Sequence, residues 1–122
     1  MGLLKEFGDS VKDLALRPAL SYVANHFINP VIKRYGTIDQ LYFQDKRFYV
    51  KLILLGMEDT PFECSVGHLY IKDDFSTIQF GDFQANKPFL QNILDDFATK
   101  EFKIPANEKV ILALKTIKKH IN

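Results

Sequence analysis

The sequence predicts an α+β protein: a long N-terminal helix, a four-stranded antiparallel meander and two C-terminal helices. Two observations carry this. Residues 37–83 hold aromatic-rich segments with period-two alternation, and both flanks switch to helical period. Their junctions are marked by short Gly, Pro and Asp clusters.

The N-terminal helix is read from Leu20, Val23, Ala24, Phe27, Ile28 and Val31, spaced i, i+3, i+4, i+7, i+8 and i+11. Ser21, Asn25 and Asn29 take the opposite side, and Gly36 is the expected stop. Upstream, Leu4, Phe7, Val11 and Leu14 form a second stripe, centred roughly 150° away at 100° per residue. One straight helix cannot lay both stripes on one sheet. Pro18 disfavours helical geometry at Arg17 and removes a donor, so a kink is expected at residues 16–18. Residues 1–16 then form a helical arm that folds back or docks elsewhere.

The strands follow. Phe48, Val50, Leu52 and Leu54 occupy one face of the segment Arg47–Leu55. Phe62, Cys64, Val66, His68 and Tyr70 occupy one face of the next segment. Asp45-Lys46 reads as a tight hairpin, residues 56–61 as a looser turn and Lys72-Asp73-Asp74 as a third. Residues 37–44 and 76–83 complete the four strands. Asn86 is placed to cap a helix carrying Phe89, Leu90, Ile93, Leu94 and Phe97. Asn107 is placed to cap the last helix, whose stripe is Val110, Leu114, Ile117 and Ile121. Lys115, Lys118, Lys119 and His120 sit at its C-terminal end, where the helix dipole favours cations.

Composition narrows the functional classes. The 122 residues suit a single domain, 1–122, and 47% are apolar, with eleven Phe and no Trp. The formal net charge of +1 gives a nucleic-acid partner no electrostatic support. One cysteine excludes an internal disulfide and the multi-cysteine zinc sites. No apolar run is long enough to span a membrane, and Lys5, Glu6 and Asp9 interrupt any signal-peptide core. The expected location is cytoplasmic.

The chemistry-bearing residues form no catalytic constellation. Cys64 and His68 share a predicted strand face, but four strand residues span about 13 Å, beyond hydrogen-bond reach. Cys64 reads as a small core residue and His68 as a partly buried histidine with a neighbour. His26 falls off the apolar stripe of its helix. Asp73-Asp74 sit in a turn, and counting twelve from Asp73 reaches Gln84 instead of the Glu that a calcium loop requires. The glycines are dispersed, with no phosphate loop. The reading is a non-enzyme with no metal and no cofactor.

Apolar residues fall on both faces of the sheet. Ile53 and Leu55 oppose Leu52 and Leu54, while Leu69 and Ile71 flank Tyr70. Either helices cover both faces, or one surface is left for a partner or ligand. Tyr35-Gly36, the Gly56-x-Glu58 turn with Pro61, and Ile104-Pro105 punctuate a helix, a meander and a Phe89–Phe97 helix. Over about residues 22–105 this order resembles small bacterial lipid-binding proteins, in which a curved antiparallel sheet wraps a long helix. The resemblance implies a hydrophobic groove between sheet and helix and transfers no ligand.

The expected function is therefore a non-catalytic binding protein holding an apolar, lipid-like small molecule against Phe48, Val50, Leu52, Phe62, Val66 and Tyr70. The alternative is a homo-oligomeric interaction module. In that reading Leu4, Phe7, Val11 and Leu14 form the interface of a homodimer that exchanges its arms.

Overall fold

The computed structural model describes residues 16–98 and 100–121. Its class is α+β, built on a five-stranded antiparallel sheet in the order β1-β2-β3-β4-β5. The strands are β1 (Gly36–Gln44), β2 (Arg47–Leu54), β3 (Phe62–Ile71), β4 (Thr77–Ala85) and β5 (Glu101–Lys103). The expected four-stranded meander is thus corrected by one strand. Glu101–Lys103 is too short to show alternation, and it pairs with Thr77–Gln79 only after a helical excursion.

Three helices flank the strands. Helix α1 covers residues 17–32 as an α-helical stretch Arg17–Val23, a π-helical turn Ala24–Ile28 and a final turn Asn29–Ile32. Helix α2 is Pro88–Phe97 and helix α3 is Glu108–Ile121. Strand β5 separates α2 from α3, so the C-terminus is one helix and not the expected helical pair.

The long kinked N-terminal helix is also corrected. Pro18 lies in the first turn of α1, where its missing N–H would have no intrahelical partner. It starts a 16-residue helix and kinks none among the described residues. Residues 1–15, with Leu4, Phe7, Val11 and Leu14, lie outside the described residues. Leu16, the last residue assigned to the arm, is 2% exposed and belongs to the core.

The π turn explains why the apolar stripe of α1 ends early. Asn29 N–H donates to the Ala24 carbonyl, one residue further back than in an α-helix. That extra residue turns the following segment by about 100°. Leu20, Val23, Ala24 and Phe27 are buried, but Val31 is 54% exposed. Pro30 follows directly and lacks the N–H that an unbroken α-helix would require there.

Turn chemistry sets the register. Asp45 and Lys46 both have positive φ, 52° and 65°, as a two-residue hairpin of the twisted type requires. Gly36 opens β1 against Leu54. A Cβ there would collide with the Ile53 carbonyl and the Leu54 Cα, so only glycine permits this approach. A bulge at Asp39 lets Ile38 and Leu41, three residues apart, both face the core.

The sharpest departure from simple alternation lies in the middle of β3. Phe62, Cys64 and Val66 are buried, and so is Ile71, with Leu69 partly buried between exposed His68 and Tyr70. The inward parity switches from even to odd. Strand β4 switches with it, from Phe83 to Phe80 and Ile78. Pairing runs Cys64↔Ala85 to Val66↔Phe83, then resumes at His68↔Gly81. The residue left between on β4, Asp82, has φ 55°.

The same broad face therefore carries two core clusters. Leu16, Leu20, Val23 and Phe27 of the N-terminal region meet Val110, Leu114 and Ile117 of α3 over Phe48, Val66, Ile71 and Ile78. Leu90 of α2 meets Val50, Phe62 and Cys64. All three described helices pack on this face, so among the described residues the helical coverage is one-sided. On the opposite face Tyr42 and Tyr49 stack across strands with ring centroids 5.4 Å apart.

Candidate functional site

Helix α2 carries more apolar surface than the sheet covers. Leu90 is buried and Leu94 is partly buried on the second cluster. Phe89 and Ile93, on the adjoining stripe, remain 43% and 47% exposed. The Phe89 ring meets the buried Phe62 ring edge-on at 5.5 Å, so the exposed stripe is continuous with the core.

Local hydrogen bonds fix α2 in this place. Gln91 accepts from the Ala85 N–H at 2.8 Å and donates to the Phe83 carbonyl at 2.8 Å. Asn86, expected as a helix cap, instead ties β4 to β3. Its carboxamide accepts from Glu63 N–H at 3.1 Å and donates to the Pro61 carbonyl at 3.0 Å. The N-cap position belongs to Lys87, which makes no side-chain capping bond.

The neighbouring helix stands apart. α1 packs on α3 and β1, whereas α2 packs on β4, with no comparable packing between α1 and α2. Ile38, Leu52 and Leu54 are partly buried and packed on the second cluster. Ile38 is anchored through its N–H, which donates to Asn29 Oδ1 of α1 at 2.7 Å. Ile38, Leu52 and Leu54 thus extend the second cluster on the sheet, and Phe89 of α2 borders it through Phe62.

The six residues expected to hold a ligand divide three ways. Val50, Phe62 and Leu52 belong to the second cluster, with Leu90 of α2. Phe48 and Val66 belong to the first, under α1 and α3. Tyr70 is 52% exposed, because the parity switch in β3 turns it away from the core. Leu54 and Ile38, packed on the second cluster, and the exposed Phe89 and Ile93 were not among the six. Phe89 and Ile93 had a legible signal: five apolar positions in Phe89–Phe97 make an arc wider than one sheet contact uses.

The titratable groups do other work. Cys64 is buried, and desolvation pushes its thiol up to about 11. His68 is exposed and beyond the parity switch, so the two are not a nucleophile and its base. Asp73 pairs with Lys118 at 2.9 Å. Asp74 accepts from the Ser76 hydroxyl at 2.6 Å and its N–H at 3.0 Å, which holds its carboxyl below the ordinary range. His26 stacks on Tyr22 at 4.1 Å. Among the described residues no three His, Cys, Asp or Glu side chains converge on a possible metal position. No described helix is long and apolar enough to cross a membrane.

No protein-family model matches the chain, and no curated protein or solved structure matches it.

Proposed function

We propose that this protein is a non-catalytic binding module that takes an apolar, acyl-like ligand into the opening between α1 and α2. The floor is Ile38, Leu52 and Leu54, and the wall is Phe89 and Ile93. The single observation that carries the reading is the exposed Phe89/Ile93 stripe in contact with the core through Phe62. Leaving two large apolar side chains in water on a helix that already has a buried stripe forgoes stabilisation. At about 25 cal/mol per Å2 of apolar surface, covering them with a ligand recovers it.

The five residues named are all apolar, which suits an alkyl chain. Native mass spectrometry of the gently purified protein tests the proposal. A co-purifying mass that unfolding releases, or uptake of added dodecanoate at one equivalent, is the expected result. A bare mass with no uptake contradicts it.

A further inference from the structure

The two core clusters are covered unequally by helices. The first receives Leu20, Val23 and Phe27 from α1 and Val110, Leu114 and Ile117 from α3. The second is reached, among the described residues, only by Leu90 and Leu94 of α2. Around it Ile38, Leu52 and Leu54 are only partly buried, and Phe89 and Ile93 are half exposed.

Fifteen residues precede the described part of the chain. They carry Leu4, Phe7, Val11 and Leu14, spaced by three, four and three. In helical geometry that spacing gathers four large apolar side chains on one stripe. The point where this segment joins the domain is fixed, because Leu16 is buried in the first cluster.

The reach from that point can be derived. Leu16 to Asn29 is about 20 Å along α1 at 1.5 Å per residue. Asn29 holds the N–H of Ile38, which packs on the second cluster. Fifteen residues cover about 22 Å even when fully helical, and more when extended. The segment is therefore long enough to run back from Leu16 to the second cluster.

We infer that residues 1–15 fold back onto the second cluster of their own chain, beside α2, with their apolar stripe against Leu52, Leu54 and Ile93. The tether selects this occupant over a second copy. A segment joined by a short connection acts at an effective concentration on the order of millimolar. At micromolar protein, the same segment of another copy is about a thousandfold more dilute. The contact has a consequence that rests on the proposed ligand site: segment and acyl chain compete for one apolar surface, so ligand entry displaces residues 1–15. The segment is then the built-in regulator of that site.

Methyl NMR of the full chain tests the contact without any substitution. Nuclear Overhauser effects should join the methyl groups of Leu4, Val11 or Leu14 to those of Leu52, Leu54 or Ile93. They should be absent between chains in a mixture of labelled and unlabelled protein. No such effects, or effects only between chains, would overturn the inference. The competition is read with anthroyloxy-labelled fatty acid. Full-length Phe7→Asp/Val11→Asp should bind it at least fivefold more tightly than the wild type. Equal measurable affinity would overturn the regulatory role. Intrachain effects with no binding by either protein would remove the ligand reading and leave the fold-back standing.

Discussion

Arg47 reaches across β3 to Asp82, its Nη1 2.5 Å from Oδ2 and its Nη2 2.7 Å from the Asp82 carbonyl oxygen. On the way its Nε donates to the buried Ser65 hydroxyl at 3.1 Å. The path passes over Gly67, where a Cβ would strike both the guanidinium and the carboxylate. This bridge spans the point at which β3 and β4 exchange their inward faces. It joins the start of β2 to the left-handed residue of β4.

Arg47→Ala should therefore destabilise the fold by about 1–2 kcal/mol, since it strips a buried hydroxyl of its donor as well as breaking a half-exposed ion pair. Gly67→Ala should cost a similar amount through collision. In the Arg47→Ala background the same Gly67→Ala change should cost clearly less, because one of the two obstacles is gone. Urea unfolding of the three variants measures this. Strict additivity would show that the bridge does not hold the switch.

The hairpin turn carries strain that a single change relieves. Lys46 holds φ at 65°, where glycine is at ease and lysine is not. Lys46→Gly is expected to raise stability by about 0.5–1 kcal/mol, net of the added freedom of the unfolded chain. An unchanged or lowered denaturation midpoint would count against it.

Gly36 offers the opposite case. The colliding atoms at a Cβ there belong to the backbone of β2, which cannot step aside without breaking the ladder. Gly36→Ala should cost about 1–3 kcal/mol, the usual range for overpacking, read as a lower melting temperature.

The thiol of Cys64 sets a pH window. Its ordinary value of 9.0 is raised to about 11 by burial. The folded state thus favours the neutral thiol. That contribution to stability is fully present below pH 9, declines as pH rises from 9 and is lost above 11. Cys64→Ala should show a flatter stability profile across that interval. Thiol reagents at pH 8 should label the wild-type chain only as fast as it opens.

The helices and turns were legible where local chemistry decides them. The Asn107 cap is one case: its Oδ1 accepts from the N–H of Lys109 at 2.9 Å and of Val110 at 3.3 Å. The Asp45-Lys46 hairpin and the Val110/Leu114/Ile117 stripe are others. What escaped the sequence are phase changes. The π turn at Ala24–Ile28 exposed Val31, the Asp39 bulge brought Ile38 inward, and the Gly67/Asp82 switch turned Tyr70 outward and Leu69 inward. Each shifts the phase of the apolar pattern by a local irregularity of the backbone that a fixed period does not encode. Strand β5 escaped for a related reason: three residues, Glu101–Lys103, are too few to alternate. At the candidate site, Val50 and Leu52 were readable as one face of β2 and Phe62 as part of one face of β3. The exposed stripe of α2 was signalled by the width of its apolar arc, but which of its residues the sheet leaves uncovered was not, because that depends on tertiary packing.

The most direct test of the proposed function is a titration of anthroyloxy-labelled fatty acid, with the probe's fluorescence as readout. It compares the wild-type chain with the Phe89→Asp/Ile93→Asp double variant. Both side chains are about half exposed, so the variant should keep the wild-type melting temperature within a few degrees. Saturable one-to-one binding by the wild type, weakened at least tenfold in the variant, is the predicted result. Equal affinity in the two proteins, or no saturable binding by the wild type, would contradict a ligand site between α1 and α2.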